Sequence, residues 1–287
     1  MNAIPVLNPN DICLGQKLLH AFQTIGFVAL ENDNLISKPK LAAAYGIASY
    51  FFNLPLEQKM RYYVEGSFGQ YGYTPFGTEK AKDQKVADLK EFLQYANNHN
   101  DVEFDGDSEF VSNTFKSLHS DMRKVAITIL SQLMKTSHFS ELVTQTIYKD
   151  VLGQFNNNSI LRVIHYPPTG PNPSGIRSAA HEDINLITIL PAASAAGLQV
   201  LSKDGQWVDA PTDPNFLIVN VGDMLQELTN YDLKSTTHRV INTKEGEGTS
   251  RYSMPFFFHP NSDVRLSERY TAGEYLDQRL REIGLKK

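Results

Sequence analysis

The chain has 287 residues, 41% of them hydrophobic and 10% aromatic, and carries 27 Lys and Arg against 32 Asp and Glu, for a formal net charge of −5. This composition supplies an ample globular core, and the acidic balance withholds the broad basic surface that general nucleic-acid or anionic-membrane binding requires. The single cysteine, Cys13, excludes an internal disulfide framework, no stretch approaches the length of a membrane span, and the Met1-Asn2-Ala3-Ile4-Pro5 start has neither the positive flank nor the apolar core of a signal peptide.

A cytoplasmic, soluble protein without a nucleic-acid or membrane partner is therefore expected. Ile4-Pro5-Val6-Leu7 reads as a short edge strand. A helix follows from about Asn10 or Asp11, with Ile12, Leu18, Leu19, Phe22 and Ile25 at helical spacing and Gly26 as its stop. Cys13, between Ile12 and Leu14, is expected to be a buried structural thiol. Phe27-Val28-Ala29-Leu30 reads as a strand, Leu35 to Phe52 as a helix broken near Asn53-Leu54-Pro55, and Glu57 to Tyr63 as a short helix after that proline.

Gly66, Gly69, Gly72 and Gly77 punctuate a stretch that also holds Phe68, Tyr71, Tyr73 and Phe76. It lacks the Gly-Lys-Ser/Thr ending of a phosphate-binding loop, so a mobile aromatic loop near a site and a plain surface loop are equal readings. Asp88 to Tyr95 alternates enough to be a half-buried strand. Val111, Phe115, Leu118, Met122, Val125, Ile129 and Leu133, spaced by three and four, mark a long amphipathic helix whose stripe means core. A second helical piece is expected from Ser140 toward Leu152.

From about Ile160 the texture changes to short strands separated by turns: Leu161 to Tyr166, then the loop Pro167 to Pro173, then Gly197 to Leu201, a Lys203-Asp204-Gly205 hairpin, Gln206 to Val208, and Phe216 to Val221. Repeated short strands indicate a sandwich or barrel, and a double-sheet jelly roll holds a pocket between its sheets. Ser267 to Leu285 closes the chain as a helix.

His181-Glu182-Asp183 opens an apolar, β-branched run ending at Leu190, which reads as one strand. Alternation then turns His181 and Asp183 to one side and Glu182 to the other. An imidazole beside a carboxylate is a metal-binding pair, and two His plus one carboxylate on one face of an ion leave open positions, as in non-haem Fe(II) oxygenases. The chain has eight His. His20, His99, His119 and His138 fall in the helical half and suit surface or core roles, while His165 and His259 have no carboxylate two residues away. His238 remains, although taken alone it fits a structural histidine better than a ligand. Arg251-Tyr252-Ser253 opens another strand, so Arg251 and Ser253 share a face; a guanidinium with a hydroxyl beside it can hold one carboxylate of a diacid, and a surface salt bridge is the plainer alternative.

His181-x-Asp183, His238 and Arg251-x-Ser253, with Leu161-Arg162-Val163-Ile164-His165-Tyr166-Pro167-Pro168 and Asn220-Val221-Gly222-Asp223, resemble the isopenicillin N synthase-like branch of the Fe(II)- and 2-oxoglutarate-dependent dioxygenases. Gly72 to Gly77 and Asp88 to Phe92 also resemble family segments, so the likeness covers nearly the whole chain. Ile164 stands where many plant members carry Asn, and Thr169 where they carry Cys.

The resemblance implies a mainly β fold with flanking helices: a double-stranded β-helix (jelly roll) core at 156–262, an N-terminal helical wrap with edge strands at 1–155 and a C-terminal helix at 263–287, all one domain. It implies Fe(II) on His181, Asp183 and His238, and 2-oxoglutarate as co-substrate, with its distal carboxylate on Arg251 and Ser253 and a phenol hydrogen bond from Tyr166. The expected reaction oxidises a C–H bond of a small-molecule substrate with O2, by default hydroxylating it, and releases succinate and CO2. Desaturation or ring closure needs only another substrate pose. Two other readings stand beside it: an oxidase independent of 2-oxoglutarate that draws electrons from substrate or ascorbate, and a non-catalytic metal- or ligand-binding barrel. Tyr73, Phe76, Phe257, Tyr270 and Tyr275 are candidate lid and pocket residues, and Glu182 a candidate support from outside the ligand set. Substrate identity and oligomeric state have no signature in the sequence.

Overall fold

The structure, a computed structural model, describes residues 3–79, 86–96, 108–153, 158–170, 173, 175–244, 247–283 and 285–286. His99, Pro171, Asn172 and the expected boundary at 155/156 lie outside them. β1 (Val6–Leu7) runs parallel to β2 (Phe27–Glu31), joined by α1 (Leu14–Thr24). Leu14, Leu18, Leu19 and Phe22 of α1 are buried, each worth about 1.5–3 kcal/mol relative to exposure. Gly26 ends the helix at φ +73°, and a Cβ there would lie 2.3 Å from the Lys234 carbonyl oxygen, so only glycine fits. Two expectations fail at the other end. Ile12 and Cys13 are exposed, because the Asp11 carboxylate accepts the Cys13 N–H at 2.8 Å and holds a turn ahead of the helix.

α2 (Lys38–Phe52) and α3 (Leu56–Met60), the latter after Pro55, match expectation within a few residues. The glycine-punctuated stretch contains β3 (Gly72–Thr74), paired to β4 (Glu91–Ala96). Tyr73 is 1% exposed, part of the core and not of a mobile loop, while Phe76 is 50% exposed. α4 (Ser108–Met134) buries Phe115, Leu118, Met122, Val125, Ile129 and Leu133 as the spacing predicts. α5 (Glu141–Gln145) continues into a π-helical turn over Thr146–Leu152.

The remaining elements are β5 (Ile160–Tyr166), β6 (Ser178–His181), β7 (Ile187–Pro191), β8 (Leu198–Leu201), β9 (Trp207–Asp209), β10 (Phe216–Val221), α6 (Asp223–Leu228), β11 (His238–Val240), β12 (Arg251–Ser253), β13 (Phe256–Phe258) and α7 (Ala272–Glu282). Among the described residues they form two sheets. The larger runs β1-β2-β10-β7-β13-β5-β4-β3, with β12 also on β5; the smaller runs β6-β11-β8-β9. This is the expected jelly roll.

Alternation explains the layers. Val28, Leu30, Leu161, Val163, Leu217 and Val219 join the helices' apolar faces in the main core. The opposite face of the same strands meets the smaller sheet, with Phe27, Ala29 and Ile218 against Val200, and with Phe92, Ile164 and Tyr166 against Val240. The single strand expected from His181 to Leu190 is two strands in two sheets. β6 ends at His181, residues 182–186 turn, and β7 begins at Ile187 in the larger sheet. Periodicity could not reveal this, since an apolar run reads the same whether or not the chain changes sheets within it. α7 starts at Ala272 rather than Ser267, because Thr271 and Glu274 form a reciprocal capping box there.

Candidate metal centre and active-site cavity

Between the two sheets lies a cavity of about 320 Å³. His181 and His238 reach it from neighbouring strands, for β11 pairs antiparallel with β6 and sets the two residues directly opposite each other. Their ring centroids are 4.4 Å apart. Asp183 arrives from the turn after β6. Three backbone N–H groups at the start of α6 fix that turn: Asp223 donates to the Asp183 carbonyl at 2.8 Å, Gly222 to Leu186 at 2.9 Å and Met224 to Asn185 at 3.0 Å. The approach is so close that a Cβ on Gly222 would lie 2.1 Å from Asn185 Oδ1.

The three side chains form the one His/Cys/Asp/Glu group among the described residues able to hold an ion, with donor atoms all within 4.8 Å of one another. Asp183 Oδ1 is 3.6 Å from His238 Nε2 and 4.0 Å from His181 Nε2. Two donors each about 2.1 Å from one ion can be at most about 4.2 Å apart, so both spacings fit a shared ion. The tautomers fit as well. His181 Nδ1 faces the Ala179 carbonyl at 2.7 Å and His238 Nδ1 the Thr236 carbonyl at 3.1 Å. A carbonyl only accepts, so each Nδ1 carries the proton and each Nε2 keeps its lone pair.

Asp183 is oriented in the same way. Its Oδ2 accepts from the Thr188 hydroxyl at 2.6 Å and Asn220 Nδ2 at 2.8 Å, leaving Oδ1 toward the imidazoles. Burial alone would raise this carboxyl, but the two imidazoles and these hydrogen bonds hold it below the usual range. Burial and the neighbouring His238 push His181 down to about 4, so it is neutral and able to ligate near pH 7.

Arg251 is 2% exposed and lines the same cavity. It sits opposite Tyr166 in the β12–β5 pairing, with its guanidinium 5.0 Å from the centre of the Tyr166 ring, and Ser253 sits opposite Ile164. Its Nε donates to the carbonyls of Ala195 at 2.9 Å and Ala196 at 3.2 Å, while Nη1 is buried with no hydrogen-bond partner. Burial, and then the like charge of Arg251, depress the guanidinium of the wholly buried Arg177. This end of the cavity is therefore strongly positive, with a buried donor free, which fits the carboxylate of a dianionic co-substrate.

A family profile described as 2OG-Fe(II) oxygenase superfamily matches residues 157–260, and one described as the N-terminal region of non-haem dioxygenases in morphine synthesis matches 5–115. Jasmonate-induced oxygenase 4 of Arabidopsis thaliana is 30% identical over 91% of this chain and 73% of its own. A 2OG-Fe(II) oxygenase family protein from Caulobacter crescentus superposes with TM-score 0.80 at 32% identity, covering 99% of this chain and all of that one. A full-length Neurospora crassa protein in complex with alpha-KG superposes with TM-score 0.82 at 26% identity, over 97% and 95%. The chain belongs to the 2OG-Fe(II) oxygenase superfamily. It is an Fe(II)- and 2-oxoglutarate-dependent dioxygenase, whose reaction partners are 2-oxoglutarate, O2 and a small molecule.

The other end of this oxygenase's cavity was not foreseen. Ile160, Arg162, Ile164 and Tyr166 share one face of β5, and all line the cavity. Arg162 lies 4.2 Å from the centre of the Phe92 ring and 5.3 Å from that of Phe257. Its Nε donates to Gln94 Oε1 at 2.6 Å and its Nη1 to both Glu79 oxygens at 3.1 and 3.2 Å. Lys90 bridges Glu79 at 2.7 Å and Asp88 at 2.8 Å, and Asp88 accepts the Ala179 N–H at 3.0 Å, two residues before His181. Burial opposes the charge on Glu79, yet Arg162 and Lys90 carry its carboxyl down to about 2; Glu79 and Asp88 likewise raise Lys90 against burial. A charged residue on the inward face of an otherwise apolar strand was the available signal.

Of the candidate pocket residues, Phe257 lines the cavity. Tyr73 instead hydrogen-bonds Glu91 in the core, and Tyr270 and Tyr275 pack on each other at 5.4 Å, while α7 lends the cavity Leu276, Arg279 and Leu280. Glu182 borders the cavity and accepts a hydrogen bond from Thr237. His165, His119 and His259 are buried and hydrogen-bonded to Glu91, the Ser159 carbonyl and the Phe257 carbonyl, respectively. Among the described residues no helix is long and apolar enough to cross a membrane.

Proposed function

We propose that His181, Asp183 and His238 are the Fe(II) ligands of this dioxygenase, and that Arg251 and Ser253 hold the distal carboxylate of 2-oxoglutarate with Tyr166 beside it. The supporting observation is the free, buried Nη1 of Arg251 opening on the same cavity as the three converging donors. Fe(II) with 2-oxoglutarate supplies the oxidant for the substrate C–H bond, and succinate and CO2 are released. The chain's own residues do the positioning. Nδ1–H bonds to Ala179 and Thr236 aim the imidazoles, Thr188 and Asn220 aim Asp183, and three protein ligands leave positions open for small molecules. The two sheets limit water, and Phe257, Leu276 and Leu280 give the substrate an apolar wall.

Hydroxylation is the outcome we assign. A small-molecule substrate is in keeping with the relatives: Gibberellin 2-beta-dioxygenase 1 of Arabidopsis thaliana, 29% identical over 95% of this chain, is named for one, and the Neurospora crassa protein has been solved in complex with alpha-KG and thymine. We also read the chain as one domain, because its main core runs from Leu7 to Ala272, and as cytoplasmic, because an exposed Cys13 suits a reducing compartment. Anaerobic protein loaded with Fe(II) should develop a weak visible charge-transfer band when 2-oxoglutarate is added. No band from folded, iron-loaded protein would reject the assignment. Succinate formed per O2 consumed separates this reading from an oxidase that uses substrate or ascorbate as its electron source.

A further inference from the structure

The four cationic side chains that line the cavity among the described residues are not equivalent. Arg251 contacts backbone carbonyls and a tyrosine ring but no carboxylate. Arg279 lies between Asp223 at 3.3 Å and Glu282 at 2.9 Å. Arg162 and Lys90 belong to the alternating chain Arg162–Glu79–Lys90–Asp88, two charges of each sign, whose ion-pair distances run from 2.7 to 3.2 Å. Replacing such a buried chain with apolar residues is often neutral or stabilising, so stability does not explain its presence on the wall of an active site.

Position separates the two arginines, Arg162 on β5 and Arg251 on its neighbour β12. Tyr166, opposite Arg251, marks the co-substrate end; Arg162 lies four residues back on the same face, about 13 Å along the strand. Arg162 is thus past the reach of the co-substrate's distal carboxylate. Its plane is fixed by the Phe92 and Phe257 rings, Gln94 and Glu79, so it is pre-organised before any ligand arrives. With its charge already matched by Glu79, the guanidinium still offers N–H donors, but it gives an incoming carboxylate no uncompensated charge to pair with.

We propose that Glu79 sets the charge class of the substrate: by cancelling Arg162, and by sharing Lys90 with Asp88, it leaves a chamber that takes a small uncharged molecule bearing a carbonyl-type acceptor and discriminates against carboxylates. A carboxylate entering this chamber loses its hydration and meets Glu79 and Asp88 as well as Arg162 and Lys90, so its desolvation is not repaid. A neutral carbonyl accepts from Arg162 at little desolvation cost, and its apolar part rests on Phe257 and Leu276. The volume agrees. About 320 Å³ is near the low end of the roughly 300–1,000 Å³ of small-molecule pockets, and the co-substrate shares it.

The inference rests on the 2-oxoglutarate reading above, and the test keeps the two apart. Anaerobic Fe(II)–2-oxoglutarate protein is titrated with cyclic amides (2-pyrrolidinone, 2-piperidone) and with cyclopentane- and cyclohexanecarboxylate, following perturbation of the visible band and, in air, added succinate release. Wild type should half-saturate with the amides at concentrations at least tenfold lower than with the carboxylates. Glu79→Gln uncovers the charge of Arg162 and should shift that ratio at least tenfold toward the carboxylates, while Arg162→Gln should weaken the amides at least tenfold. Absence of the band with 2-oxoglutarate alone defeats the co-substrate reading. A normal band with wild type preferring carboxylates or ignoring the amides, or a Glu79→Gln ratio unchanged from wild type, overturns the charge-class inference and leaves that reading standing. The wild-type comparison decides the matter even if a variant does not fold.

Discussion

The two ends of the cavity handle buried charge in opposite ways, although one face of β5 serves both. At the Arg251 end a guanidinium is buried with Nη1 unpartnered by any protein group and close enough to Arg177 to depress it, an arrangement that suits an incoming anion. At the Arg162 end each charge has its opposite within 3.2 Å. The candidate metal donors lie between these extremes, each with one polar atom held by the fold and one left free. A buried charge left open selects a ligand of opposite charge, whereas a charge already closed selects only by shape and hydrogen bonding.

Substitutions can break this contrast one part at a time. The largest effect is expected from Asp183→Ala, which removes the only anionic donor: Fe(II) affinity should fall by more than about 100-fold in an anaerobic titration, with the circular dichroism spectrum kept. Arg251→Ala should weaken 2-oxoglutarate by about 10–100-fold, the value of charged hydrogen bonds of about 1.5–3 kcal/mol, and leave iron affinity within a few-fold. If Arg251→Ala instead weakened iron and co-substrate equally, the separation of the two roles would fail.

Asn220→Ala, which frees Asp183 Oδ2 from one of its two restraints, should cost about tenfold in Fe(II) affinity without changing ligand identity. Acid should act on the metal-free protein. His181 and His259, ordinarily titrating near 6.5, are both pushed to about 4, chiefly by burial. The unfolded chain therefore binds protons below pH 6.5 that the folded chain refuses; this stability is complete above 6.5 and is lost as pH falls through about 4. The urea midpoint should fall across that window, and His259→Gln should make the fall shallower. Cys13→Ser, at an exposed turn outside both ends, should stay within about 0.5 kcal/mol of wild type in the same measurement.

Much of the fold was legible because its signals are local. The α4 stripe, the Gly26 stop, the β8–β9 hairpin at Gly205 and the Arg251/Ser253 shared face all follow from spacing or from a single residue's backbone preference. Cys13 and Ile12 were misplaced because the Asp11 turn that precedes α1 competes with helix extension, and periodicity does not register a side chain's bond to a nearby N–H. Tyr73 was read as loop because glycines surround it, yet three residues of pairing with β4 bury it.

By itself the sequence supplied the candidates, the His181-x-Asp183 pair and the shared face of Arg251 and Ser253 from residue chemistry and alternation, and His238 with the set as a whole from the family resemblance. Their convergence was decided by tertiary structure. His181 and Asp183 share a site because the chain bends between two sheets after β6, not because they lie on one strand, and His238 joins them through its register opposite His181. Apart from the Asp88–Lys90 pair, two residues apart, the Arg162–Glu79–Lys90–Asp88 chain was a tertiary matter: Arg162 was visible as a charge on an apolar strand, but its partners come from separate segments that only the folded chain brings within reach of it.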